Sequence, residues 1–231
     1  MPTVDIPAGQ DRLTGYLAVP ASGRGPGVVV IQEWWGIVPH IRSVVDRFAE
    51  AGFVALAPDL FRGEHTTEPD EAGKLMMGLR VASAADDIAA AADHLVRSGL
   101  LTGAQVGCVG FCMGGGLALL APTVSPHIDC TVAFYPAMPW PDYHPAWSGY
   151  SGKEALVHQC EADLPSTGED IARYADEIAA HGGIAVVETY PGTQHAFFND
   201  DRPEVHDATA SALAWERTTS LLHRRLDGPF R

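Results

Sequence analysis

Short, solidly apolar runs alternate along this chain with stretches whose apolar side chains recur every three or four positions. Val28-Val29-Val30-Ile31 is compact and β-branched, and Phe53 to Ala57 is a second such run. Between them Ile41, Val44, Val45 and Phe48 keep helical spacing, and Gly52 follows as a stop. The unit predicts strand, helix, strand. It repeats as a helical stripe over Ile88, Ala91, Ala92, Leu95 and Val96, then a strand over Val106 to Gly110 and a helix beginning over Leu117 to Leu120. Strands follow at Cys130 to Phe134 and Ala155 to Gln159. A helical stripe over Ile171, Tyr174, Ala175 and Ile178 leads to a strand over Ile184 to Tyr190 and a last helix over Val205 to Arg225. Such alternation implies parallel pairing through right-handed crossovers. Burial on both faces explains why the strands are apolar throughout.

Ser22 to Gly27 is a turn-rich link between a short amino-terminal hairpin and the first parallel strand. Residues 62–80 and 136–153 show neither period and are expected to be irregular. The second is dense in Pro, Trp, Tyr and His, a composition suited to a lid or pocket wall. With no internal repeat and no composition break, the 231 residues read as a single α/β domain over 1–231.

The hydrophobic share of 46% is that of a globular protein. No run approaches the roughly 18 apolar residues of a membrane span, and the first residues lack the basic and apolar stretches of a secretory signal. The formal charge of −14 and the absence of a basic patch argue against nucleic acid as a partner. Cys108, Cys112, Cys130 and Cys160 form no C-x-x-C pair, and unpaired thiols point to a reducing, cytoplasmic setting. No metal or organic cofactor motif is present.

Gly110-Phe111-Cys112-Met113-Gly114 carries the most chemistry. A strand precedes it and a helix follows, the context of a G-x-S-x-G nucleophile elbow with Cys in place of Ser. The glycines leave room for a tight turn that lifts the thiol above the sheet. The helix amino terminus behind it favours a thiolate. The competing reading is a buried, inert Cys beside a glycine-rich packing site. His195 follows the last parallel strand and is the candidate base. Asp163 is the candidate acid, with Glu161 and Asp142 as rivals. The order Cys112, Asp163, His195 is the nucleophile–acid–base order of α/β-hydrolases. Glu33 ends the first parallel strand, where a carboxylate is costly unless paired. It is either salt-bridged to an arginine or a polar switch beside the thiol. His158 reads as a packed core histidine, and His40 has no partner visible in the sequence.

Gln32-Glu33 with Gly36, Ala57-Pro58-Asp59-Leu60-Phe61, Gly110 to Gly115, Asp163, and Gly192-Thr193-Gln194-His195-Ala196-Phe197 together resemble the dienelactone hydrolase family. The landmarks occur in order over nearly the whole chain. The resemblance implies an α/β-hydrolase fold, a mostly parallel sheet with helices on both faces. It implies a Cys112, His195, Asp163 triad, a Glu33 that contacts the resting thiol, and an oxyanion hole from the backbone N–H groups of Trp34 and Met113. The family's best-known member grips a substrate carboxylate with arginines, one of them four residues after the histidine. Here the position four residues after the histidine is Asn199, with Arg202 three further on. The second arginine has no clear match, and Arg62 and Arg80 are only neighbours. Trp35, Tyr135, Arg62, Arg80, Asn199 and Arg202 are the candidate substrate-pocket residues.

The expected reaction is hydrolysis of a lactone or carboxylic ester, a small-molecule substrate, through a thioester acyl-enzyme. Two readings compete. One keeps the triad but takes a thioester or a lipophilic ester against the aromatic side chains. The other makes Cys112 a ligand-attachment or redox site on an inactive scaffold.

Overall fold

The alternation closes into one eight-stranded sheet in the computed structural model of the chain, which describes residues 3–8, 11–163 and 168–227. The strands are β1 (Thr3–Ala8), β2 (Asp11–Ala18), β3 (Gly25–Ile31), β4 (Val54–Pro58), β5 (Leu101–Phe111), β6 (Ile128–Phe134), β7 (Glu154–Ala162) and β8 (Ile184–Gln194). The helices are α1 (Pro39–Glu50), α2 (Pro69–Gly78), α3 (Val81–Arg97), α4 (Met113–Val124), α5 (Gly168–Ala180) and α6 (Ala208–Leu226). The strand order is β1-β2-β4-β3-β5-β6-β7-β8. The β1–β2 hairpin joins β4 antiparallel, and every pairing from β4 to β8 is parallel. After β3 the chain crosses first to β4 on one side and then to β5 on the other. That reversal opens a crevice at the carboxyl ends of β3 and β5, the place where such sheets put their sites.

Helices cover both faces. In β7, Ala155 and Val157 pack with Leu119 of α4 and with Ile171 and Ile178 of α5. His158, one position on, bonds Thr218 of α6 at 2.9 Å. Alternate side chains of one strand therefore meet different helix layers. His158 also meets the Tyr190 hydroxyl at 2.8 Å. Burial, with Arg217 nearby, pushes its pKa down to about 3, so it is a neutral, fully partnered core histidine. Cys108, Cys130 and Cys160 are buried free thiols on β5, β6 and β7. Among the described residues no helix is long and apolar enough to cross a membrane.

The structure corrects the expected pattern at three helices. Residues 62–80 are not wholly irregular, because α2 occupies part of them. Pro69 opens it, Asp70 and Glu71 suit its positive end, but only Ala72 is buried. A helix with so small a buried face has no apolar stripe to read. Helix α4 starts at Met113, four residues before its apolar stretch, because glycines 114–116 are set by close approach and not by helix propensity. Helix α6 starts at Ala208, where the Asp207 side chain caps the Ala210 N–H at 2.8 Å.

A Cβ on Gly110 would overlap the Gly114 carbonyl, a backbone obstacle. A Cβ on Gly107 would meet only the end of the flexible Leu222 side chain. Gly107→Ala is expected to lower the unfolding free energy by about 1–3 kcal/mol, the usual cost of overpacking. Gly110→Ala is expected to cost more. Equal urea midpoints for the two variants would contradict this.

Candidate active site

The turn from β5 into α4 holds Cys112 at φ 55° and ψ −120°, a conformation L residues rarely adopt. Such strain costs of order 1–3 kcal/mol and persists only where its surroundings fix it. The Cys112 N–H donates to the Phe134 carbonyl at 3.0 Å. Its own carbonyl accepts from Gly115 at 2.9 Å, Gly116 at 3.2 Å and Ala137 at 2.9 Å. A Cβ on Gly114 would collide with the Ile31 and Gln32 carbonyls, so the start of α4 lies directly against the end of β3. The thiol sits at the amino end of α4, where first-turn N–H groups and the helix dipole favour negative charge.

His195 follows the last residue of β8, since that strand runs to Gln194. Its Nδ1 donates to Asp163 Oδ1 at 2.9 Å, and the Asp163 side chain is only 2% exposed. Burial pulls the His195 pKa down, but its hydrogen bonds to Asp163 and Cys112, with their charges, outweigh it and raise the value to about 10. The imidazole is thus held as a cation between the carboxylate and the thiol. The rival carboxylates are occupied elsewhere. Glu161 accepts the Gly192 N–H at 2.8 Å and pins the end of β8 just before His195. Asp142 is exposed on the loop after β6.

Glu33 is 1% exposed, and among the described residues it hydrogen-bonds neither an arginine nor a thiol. Its Oε2 accepts from Asn199 Nδ2 at 2.9 Å and its Oε1 from the Tyr135 hydroxyl at 3.3 Å. Cys112 interacts with His195 instead. Tyr135 is fully buried, with its ring 5.0 Å from that of His195, so it supports the site from behind and is not a pocket wall. The Trp34 N–H has no hydrogen-bond acceptor among the described residues, and the Met113 N–H opens the first turn of α4.

A cavity of about 460 Å³ is bordered by Trp35, Val38, His40, His65, Asn199 and Arg202, and none of Cys112, His195, Asp163 and Glu33 lines it; Asn199 links it to Glu33. Trp35, Asn199 and Arg202 therefore share one cavity, and Arg202 is paired with Glu204 at 2.9 Å. Arg62 and Arg80 do not join them. Both border a different groove of about 860 Å³, which none of Cys112, His195, Asp163 and Glu33 lines. There Arg62 grips Asp87 with two bonds of 2.8 and 3.0 Å. Two features had no signal in the sequence. His40 is buried beside Phe111 and Phe198 and meets Asp200 at 3.1 Å, across 160 residues of chain. The Cys160 thiol reaches Asp163 at 3.2 Å. Cys160, Asp163 and His195 place potential metal-binding atoms within 4.8 Å of one another. The hydrogen bonds between them already use those atoms, so the cluster is a proton-bridged chain and not an open ligand set.

The model of the dienelactone hydrolase family matches residues 13–226. "Protein usf" of Aquifex pyrophilus is 32% identical over 93% of this chain and 94% of its own length. A "Putative carboxymethylenebutenolidase" of Aquifex aeolicus is 31% identical over 89% of this chain and 90% of its own. In structure, a dienelactone hydrolase-like promiscuous phosphotriesterase from metagenomic libraries superimposes with a TM-score of 0.85 at 23% identity, covering 97% of this chain and 98% of that one. The fold is accordingly that of an α/β-hydrolase.

Asn199→Ala would leave a buried carboxylate oxygen of Glu33 without its donor. The expected loss is about 1–3 kcal/mol of unfolding free energy by chemical denaturation. An unchanged midpoint would mean that Glu33 is solvated by some other route.

Proposed function

This chain belongs to the dienelactone hydrolase family and is a carboxylic ester hydrolase, and we propose that it works through Cys112, His195 and Asp163 by way of a thioester acyl-enzyme. The observation that carries this reading is the 2.9 Å contact of His195 with Asp163, set beside a thiol on a strained strand-to-helix turn.

The Cys112 thiolate attacks the carbonyl carbon of an ester or lactone. The tetrahedral oxyanion is met by the backbone N–H groups of Trp34 and Met113, the family's oxyanion-hole pair. On collapse the C–O bond breaks, and the leaving alkoxide takes a proton from the His195 imidazolium. His195, now neutral, removes a proton from water, which attacks the thioester carbonyl. The Cys112 thiolate leaves and the imidazolium is restored. Asp163 holds the ring tautomer and stabilises its charge throughout. Glu33 is a buried carboxyl group held by the neutral donors Tyr135 and Asn199.

A lipophilic ester or thioester is the second reading. The cavity bordered by Trp35, Val38 and Pro39 favours it, as does the position of Arg62 and Arg80 on a separate groove.

Cys112→Ala is expected to lower kcat/KM by more than about 10³-fold on a panel of cis- and trans-dienelactone, aryl esters and acyl thioesters. The preferred member decides between the two substrate readings. Equal turnover by both proteins would remove Cys112 as nucleophile. Single stoichiometric labelling without turnover would support the sensor reading instead. The working form carries the imidazolium, so activity is expected to persist above pH 6.5 and to fall as the pH rises through about 10. In Asp163→Asn that alkaline limb is expected at lower pH, toward the ordinary value of histidine. A limb that does not move would argue against the His195–Asp163 pair.

A further inference from the structure

Strand β7 ends in Gln159-Cys160-Glu161-Ala162, and Asp163 follows at once. Cys160 thus lies three residues before the carboxylate that meets His195. Its Sγ is 3.2 Å from Asp163 Oδ2, while Asp163 Oδ1 is 2.9 Å from His195 Nδ1. Among the described residues, these are the two hydrogen bonds of the Asp163 side chain. Among those residues each carboxylate oxygen has one donor, the imidazole on one side and a thiol on the other. Cys160 is 1% exposed, and the Asp163 side chain 2%. A carboxylate so placed gains little from water and depends on the donors around it.

The thiol is fit for that part. Burial and the adjacent carboxylate both push its pKa up, so it keeps its proton. The Ala162 carbonyl, at 3.6 Å, is its longer and uncharged alternative acceptor. The carboxylate needs such a hold, because the terminal torsion of an aspartate is broad and the backbone alone does not fix the plane of its oxygens.

We propose that Cys160 is a positioning residue for the acid–base pair. Its S–H donates to Asp163 Oδ2 and fixes the carboxylate plane, so that Oδ1 stays in line with His195 Nδ1. This rests on the reading of Cys112, His195 and Asp163 as the catalytic triad. Without the thiol, Oδ2 loses its partner and the carboxylate turns toward other donors. The bond to Nδ1 then lengthens, and the imidazolium is held less firmly. A group that merely fills space would affect melting alone. A positioning group also affects the pH profile.

The test uses the full chain as Cys160→Ala, Cys160→Ser and Asp163→Asn beside the wild type. The readouts are kcat and KM against pH with p-nitrophenyl acetate, thermal melting, and the downfield proton resonance of His195 Nδ1–H. In Cys160→Ala, kcat is expected to fall roughly tenfold, short of the 10²-fold that an ångström of misplacement costs. KM is expected to stay within about twofold, since the thiol does not touch substrate. The alkaline limb moves down, and the Nδ1–H resonance shifts upfield or broadens. Cys160→Ser keeps an O–H donor and is expected to recover kcat, limb and resonance. Four results overturn the proposal. One is a Cys160→Ala enzyme with wild-type kcat and limb. Another is a Cys160→Ser enzyme as impaired as Cys160→Ala, which would assign Cys160 to packing. A third is an alkaline limb that moves up, meaning that the thiol only withdraws charge from the carboxylate. The fourth is an Asp163→Asn enzyme as active as the wild type, which removes the triad reading along with this one. A disabled Asp163→Asn beside an unaffected Cys160→Ala removes only the role of Cys160.

Discussion

The site depends on one strained residue and the contacts that hold it there. Cys112 stands at a positive φ, and four backbone hydrogen bonds converge on its peptide groups. Those bonds require Phe134 at the end of β6 and Ala137 just beyond it, so β6 must be in register with β5. That register is parallel, with Phe111 beside Phe134 and Gly110 beside Ala133. On the other side Gly110 pairs with Ile31. The same β3 end brings Glu33 and Trp34 next to the turn. A slip of one residue in either pairing would remove the support of the strained turn and displace the neighbouring groups together. The sheet core and the nucleophile are therefore one construction, and the glycines at 110 and 114 are its tightest points.

Charge in the crevice is organised around a single cation. His195 lies between Asp163 and Cys112, and both raise its proton affinity against the opposing pull of burial. Glu33 adds a second buried carboxylate, and its hydrogen bonds come from the neutral donors Tyr135 and Asn199. Tyr135 joins the two halves of this arrangement. Its hydroxyl bonds Glu33, its ring meets His195, and its pKa is pushed well up by burial, with the Glu33 and Cys112 charges adding to it. It remains a proton donor at any ordinary pH.

The fold was legible because its signals are short in range. Every parallel strand announced itself as an apolar run, and the apolar stripes read in α1, α3 and α5 include residues that those helices bury. The elbow was legible for the same reason, since its glycines and its cysteine are neighbours in sequence. His195 and Asp163 were legible from where they fall after strand ends. What escaped was either weakly patterned or distant in sequence. Helix α2 buries only Ala72, so no stripe marks it. The bond from Asn199 to Glu33 spans 166 positions, and nothing local to either residue anticipates it. In the sequence Cys160 was one of four cysteines without a C-x-x-C partner. Only the turn after β7 brings Asp163 back against it.

The same distinction explains why the chemistry of such a site is easier to read than its substrate. The residues proposed as nucleophile, base, acid and oxyanion donors sit at strand ends or on backbone N–H groups, where the sheet sets their positions. Substrate-gripping arginines are long side chains on connecting segments, free to choose another partner. Arg62 shows the consequence, because Asp87 of α3 binds it in a bidentate pair on a separate groove. Asn199 shows the converse. It stands four residues past the histidine and spends its donor on the buried Glu33. An arginine there would add a positive charge beside Glu33. The amide instead partners Glu33 without bringing a charge of its own. The backbone thus carries the reaction from one chain of the family to another, while a few side chains on loops decide what it is applied to.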